Sequence, residues 1–341
     1  MRLAPLHGAV LLTVVLLAAC AKTVPPDSSL PDAIGLSFQR IPLSSQDPRE
    51  TRVGRLVYRG GLVLTSGDSR FGGWSGLQIS ADGKHLLSQS DEAHFLKADL
   101  VYDDKGDLAG VRHGQLADMQ DLDGQIMRGK EGDAEGLALL TDKLDGPVAI
   151  SFERNNRVWE YDLTHGLDVR PTPVAMPDAI KTLIDNLGLE TLTRVGPDTL
   201  LAVAEIPQQD QHGDNPAWLV SAPGKTAPVT GTLGVIPHKP YEISDGTLSP
   251  DGKHLYLLER HFYDPIRGVV IAVREIDAAT IKPGARLDGE EIASFTLHEN
   301  IDNMEGIAMR RGPNGETLVY LISDDNYNPV ERTLLLMFEL R

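Results

Sequence analysis

The sequence predicts an all-β protein, a β-propeller of five or six blades closed by N- and C-terminal strands. Three observations carry that prediction. The first is composition: 33 glycines and 22 prolines against 5% aromatics, with few long helical patterns, favour many short strands joined by turns. The second is a recurring unit, read five times, in which an apolar strand, a turn rich in Gly, Pro or Asp and a second apolar strand end in a carboxylate. The third is spacing. The residues leading the first strands are Ser75, Glu135, Glu190, Asp245 and Glu305, in steps of 60, 55, 55 and 60. The closing acids are Asp91, Glu153, Glu205, Glu259 and Asp324, in steps of 62, 52, 54 and 65. A period of about 50 residues with several strands per unit is what stacked blades produce. The rival is an open sandwich with coincidental turns.

Residues 1–19 stand apart from the fold. Arg2 supplies a weak positive start, and Ala9 to Leu17 is an apolar run too short to span a bilayer stably. Leu17-Ala18-Ala19-Cys20 looks like the lipobox of a bacterial lipoprotein signal, so Cys20 is the expected lipidation site. It is the only cysteine, which excludes an intramolecular disulfide. Ala21 follows it instead of Asp, which favours the outer over the inner membrane, on the periplasmic side of the envelope. Residues 20–32, rich in Pro and Ser, read as a tether to a domain spanning 33–341.

Within that domain, Gly35 to Ile41 and Gly54 to Thr65 are strand candidates, with Gly60-Gly61 as a turn or bulge inside the second. The first copy turns at Asp82-Gly83. The second turns at Asp145-Gly146 and adds a strand from Val158 to Leu163. Residues 176–187 carry the pattern of one short amphipathic helix between units. The later copies turn at Gly196-Pro197-Asp198, Pro250-Asp251-Gly252 and Asn314-Gly315, the last a strong hairpin signal because both residues tolerate positive φ. A final strand runs from Thr333 to Leu340. The roughly forty residues before Ser75 either complete the last blade or add a sixth.

The formal net charge is −17, and about −18 without Arg2. Such a surface repels nucleic acid and anionic lipid headgroups, and a polyphosphate unless cations intervene.

The stretches GGLVLTSGDSRFGGWSGL, DAEGLAL, SFERNNRVWEY, NLGLETL, LLERHFYD, IDNMEGIAM and LISDDNYNPVERTLLLMFEL resemble the bacterial phytase-like proteins, described as having esterase-like activity of the phytase family. The resemblance runs from about residue 54 to the C-terminus. It implies a propeller and ester hydrolysis. The propeller phytases use calcium held by acidic side chains, so calcium is the expected cofactor and a small-molecule ester the expected ligand, on a monomeric chain.

In a propeller the innermost strands line the central channel, so the repeated acids are expected to form two groups at one channel mouth. So many carboxylates close together need cations or Arg partners, and hard oxygen ligands suit calcium. The favoured metal ligands are Glu135, Glu153, Glu190, Glu259, Glu305 and Asp324, with Arg154 and Arg260 as anion clamps or structural partners. The competing role is structural, the acids accepting N–H and Arg bonds at blade junctions. His261, beside Glu259 and Asp264, is the one histidine placed as a general base. His85 and His254 read as exposed hairpin residues. Ser75 lacks the glycine spacing of a nucleophile elbow. Asp121-Leu122-Asp123-Gly124 has Met119 and Lys130 where a calcium loop needs ligands, so it is not an EF-hand. Two functions follow: a lipid-anchored, calcium-dependent hydrolase of a phosphate or related ester, or a non-catalytic envelope propeller that binds a ligand or protein partner.

Overall fold

The computed structural model describes residues 33–207, 212–223, 229–264 and 268–341. The signal segment, Cys20 and the whole of the tether lie outside the described residues. Five sheets form a ring, so the repeat resolves into five blades and not six.

Blade 1 runs outward through Trp74–Ile79, His85–Ser90, His94–Tyr102 and Leu108–Asp118. Blade 2 is Ala134–Leu139, Pro147–Phe152, Arg157–Asp162 and Thr172–Pro173. Blade 3 is Leu189–Gly196, Thr199–Ala204, Asn215–Ser221 and Val229–Val235, with Arg286–Leu287 added in parallel at its outer edge. Blade 4 is Glu242–Leu248, His254–Asp264, Gly268–Asp277 and Glu290–Phe295. Blade 5 begins with Asn303–Arg311, Thr317–Asp324 and Leu334–Leu340. The chain's own start completes it: Leu56–Thr65 pairs antiparallel with Leu334–Leu340, and Ser37–Ile41 lies outside that. The residues before Ser75 therefore close the fifth blade, removing two free sheet edges at once.

Each blade is apolar on both faces because it is packed between two others. In blade 3, Leu200, Ala202 and Ala204 join the core shared with blade 2, while Leu201 and Val203 join the core shared with blade 4. Blade 5 does the same: Leu318, Tyr320 and Ile322 face blade 1, and Val319 and Leu321 face blade 4. The second strands thus read as continuous apolar runs. Five such inter-blade clusters replace a single central core.

The innermost strands touch one another around the axis. Glycine permits that approach: a Cβ on Gly136 would sit 2.7 Å from the Glu190 carbonyl oxygen, and one on Gly306 would be 3.1 Å from Gly76 backbone.

Residues 176–187 do not form the expected α-helix. They contain one 3-10 stretch, Asp178–Thr182, after Pro177, and extended backbone resumes at Leu183. Ile180 and Leu183 are buried against blades 2 and 3, and a single turn suffices before the chain re-enters the ring at Leu189. The Asp121-Leu122-Asp123-Gly124 segment is a hairpin tip, in which Asp121 Oδ1 accepts from the Asp123 and Gln125 amides at 2.9 and 2.8 Å. Among the described residues no helix is long and apolar enough to cross a membrane.

Candidate functional site

Every innermost strand carries a β-bulge near its start. The ladder skips Ser75 in blade 1, Glu135 and Gly136 in blade 2, Glu190 in blade 3, Ser244 in blade 4 and Glu305 in blade 5. A bulge re-aims the side chain it inserts. In blades 2, 3 and 5 that side chain is a glutamate, and it points into the channel mouth. The second strand of each hairpin returns to the same end, bringing its closing acid alongside.

The result is a cavity of about 330 Å³ lined by eight carboxylates, Asp91, Asp133, Glu135, Glu153, Glu190, Glu205, Glu305 and Asp324, against two guanidiniums, Arg154 and Arg260. Some of this charge is already matched. Arg260 pairs with Glu305, lies 3.4 Å from Glu205 and donates to Asn303 Oδ1 at 3.0 Å. Arg154, at φ 56°, pairs with Asp133. Glu153 Oε1 accepts from the Gly188 amide, and Asp324 Oδ1 accepts from the Asn326 amide at 2.6 Å. Glu135 and Glu190 are different. They are 7% and 4% exposed and make no side-chain hydrogen bond or ion pair among the described residues. Carboxylate oxygens of Glu135, Glu153 and Glu190 lie within 4.8 Å of one another.

Burial and mutual repulsion set the electrostatics. Burial first, then Glu153, Asp133 and Asp91, raise the Glu135 carboxyl well above its ordinary range; burial followed by Glu135, Glu205 and Glu153 does the same to Glu190. Burial, with Glu205 and Asp133 adding, pushes Glu153 up to about 7 despite its amide bond. Asp91 rises to about 8, through burial and then Asp324, Glu92 and Asp133. Asp324 rises to about 6, again chiefly through burial. Arg260 loses hydration by burial, but Glu190, Glu205 and Glu135 outweigh this and hold it protonated. The mouth is thus short of positive charge at neutral pH, and oxygen donors of this density fit a hard divalent cation.

Of the residues expected from sequence, Glu135, Glu153, Glu190, Glu305, Asp324, Arg154 and Arg260 meet in this cavity. Glu259 and His261 do not. Blade 4 takes its bulge one residue earlier than its repeat suggests, so Asp245 turns into the ring wall and accepts from the Gly246 and Ile307 amides at 2.7 and 2.8 Å. Glu259 is buried within blade 4, 2.6 Å from both Arg274 and His238. Side chains alternate along a strand, so His261 shares the face of Glu259, packs on the Tyr263 ring at 4.4 Å, and points away from Arg260. Arg260 is what blade 4 gives the mouth instead of an acid. Asp91 and Glu205 also line the cavity; both were visible as closing acids. Asp133, two residues before Glu135, had no repeat to mark it.

A family model described as phytase-like, esterase-like activity of phytase, matches residues 69–327. The chain belongs to this family. No curated protein matches it. Among solved structures, a PQQ-bound aldose sugar dehydrogenase from Streptomyces coelicolor is 16% identical, with TM-score 0.44, over 91% of this chain and 100% of that one. A chain of a nidogen/laminin complex is 10% identical, with TM-score 0.41, over 83% and 95%. A luciferin-regenerating enzyme is 10% identical, with TM-score 0.40, over 79% and 93%. The family membership covers the hairpins that build the acidic mouth, from Asp91 to Asp324.

Proposed function

We propose that this phytase-like propeller is a calcium-dependent hydrolase of a phosphate or related ester, with its chemistry at the acidic mouth. One observation carries the reading: Glu135 and Glu190, buried and without a side-chain hydrogen bond or ion pair among the described residues, converge with Glu153. An arrangement serving only to tie blades together would satisfy its acids from neighbouring blades, as Asp245 is satisfied. Unpartnered buried carboxylates cost stability unless a cation occupies the site.

In this reading Glu135, Glu153 and Glu190 hold the ion. The chemistry it supplies when bound is charge neutralisation at the ester oxygens and acidification of a water molecule. Arg154 and Arg260 line the same cavity and orient an anionic oxygen through charge-assisted hydrogen bonds. Asp91 lines the same cavity, where burial and neighbouring acids raise its carboxyl and favour its protonated form, and in this reading it is the proton donor. As water oxygen bonds to phosphorus and the ester P–O bond breaks, that proton passes to the leaving oxygen; the proton lost by water restores it. Lipidation at Cys20 and attachment to the outer membrane are part of the same proposal.

The test is calorimetric titration of calcium into chelator-treated protein, with hydrolysis of p-nitrophenyl phosphate followed in parallel. Micromolar binding with calcium-dependent turnover supports the reading. Binding that raises only the melting temperature makes the ion structural, and no binding removes the reading altogether.

A further inference from the structure

A second cavity, of about 720 Å³, opens beside the acidic mouth between blades 4 and 5. The two share Arg260, Asn303 and Asn326, so they adjoin across these side chains. Their walls differ sharply. Where the mouth is lined chiefly by carboxylates, the side groove presents Phe262, Val269, Leu297, Ile301 and Val330. Phe262, Leu297 and Val330 are 62%, 54% and 82% exposed. They are three of nine large, exposed hydrophobic residues among the described ones, and they come from three separate segments to line one groove. Apolar side chains gathered beside a charged site mark a place where an apolar group is bound.

The sequence around them holds the groove open. Phe262 lies on the Arg260 face of its strand, beyond Arg260, so one strand delivers a guanidinium to the mouth and an aromatic ring to the groove. Arg332, 3.3 Å from Asp302 and donating to the Ile301 carbonyl oxygen at 3.0 Å, fixes the Val330 loop to the blade 4–5 connection. Asn303 joins the compartments, accepting from Arg260 and donating to Glu305 Oε1 at 2.7 Å.

We propose, resting on the hydrolase reading for the reactive end, that the groove is a subsite for the apolar organic group of the substrate. The substrate class is then an ester with one compact anionic group and an aryl or alkyl residue, not a polyanion. Charge supports this choice. Eight carboxylates face two guanidiniums in the mouth, and the groove adds Glu242, Asp302 and Glu331 against Arg332 alone. Further phosphates would meet acids, whereas a hydrocarbon meets Phe262 and Val330.

Binding of two non-hydrolysable probes, phenylphosphonate and methylphosphonate, to the calcium-supplemented full chain tests the subsite without relying on turnover. Burying one ring against these side chains is expected to favour phenylphosphonate by at least about tenfold. Phe262→Ser and Val330→Ser, both at exposed positions, should each erode that preference while leaving methylphosphonate affinity unchanged. Equal affinities in the unaltered chain, no binding of either probe, or a preference that survives both substitutions would overturn the subsite. A groove-dependent preference without p-nitrophenyl phosphate turnover would sustain the subsite and remove the hydrolase reading, so the two fail separately.

Discussion

Blades 3 and 4 carry the same repeat and put it to opposite uses. In blade 3 the bulge falls on Glu190 and the second strand closes with Glu205, and both acids face the channel mouth. In blade 4 the bulge falls on Ser244, Asp245 pins the neighbouring strand, and Glu259 is buried against Arg274 and His238. Blade 4 reaches the mouth through Arg260 instead, the residue after its closing acid. A one-residue shift in a bulge exchanges a carboxylate for a guanidinium. That exchange breaks the ring's symmetry and gives the mouth a cationic side.

The comparison is broken most severely by removing that cation. Arg260→Met takes the guanidinium from Glu205 and leaves Glu305 with only the Asn303 amide in a buried site. Uncompensated buried charge of this kind costs about 3–5 kcal/mol. Thermal unfolding without calcium should show the loss, larger at pH 8 than at pH 5 because protonation relieves the acids. An unchanged melting temperature at pH 8 would mean that Arg260 does not hold the mouth together.

Next come the two glutamates. Glu259→Gln strands Arg274 inside blade 4, so folding should weaken by about 3 kcal/mol while calcium affinity stays within twofold. Glu190→Gln replaces a buried carboxyl that makes no hydrogen bond or ion pair among the described residues and that burial favours in its neutral form. Metal-free stability should hold or rise, while calcium affinity falls at least about tenfold. Paired melting curves and calcium titrations separate the roles, and matching profiles for the two variants would erase the distinction between the blades.

Protons offer a milder probe. Asp91, Glu153 and Asp324 are raised to about 8, 7 and 6, so over this range the folded chain keeps protons that the unfolded chain, titrating near 4, has released. Their contribution is complete below about pH 4 and is lost as pH rises through 6 to 8. Without calcium the melting temperature should fall by several degrees between pH 5 and pH 8. Calcium should flatten that slope, with a proton released from its ligand Glu153 on binding. A melting temperature that climbs over this range in chelator would contradict the assigned directions.

What the sequence displayed follows from what each feature depends on. The repeat and its register were legible because Gly-containing turns and both-faced apolar strands recur locally at a fixed period; the choice between five and six blades was not, because it rests on pairing between the two ends of the chain. The acids of blades 2, 3 and 5 were legible for the same reason. Glu259 and Asp245 were misleading because a bulge's position depends on packing against the next blade, which a repeat spacing does not encode. The groove was hidden more deeply: Phe262, Leu297 and Val330 are 35 and 33 residues apart in sequence and meet only because blade 5 closes against blade 4. Residues 176–187 had helical periodicity but too little chain to propagate it before the return to the ring.

The smallest expected effect concerns His261, which spacing alone placed beside Glu259 as a base. Both residues share the strand face turned away from Arg260, and His261 packs on Tyr263. A base must reach its proton directly or through one water, and the strand itself stands between this imidazole and the mouth. His261→Ala should therefore change p-nitrophenyl phosphate turnover by less than about twofold and leave the pH profile of kcat in place. Asp91→Asn should instead flatten the alkaline limb, since the variant has no carboxyl proton there to lose as pH rises. If the histidine variant moved that limb and the aspartate variant did not, the chemistry would belong to the outer face of blade 4, and the acidic mouth would be only a structural cation site.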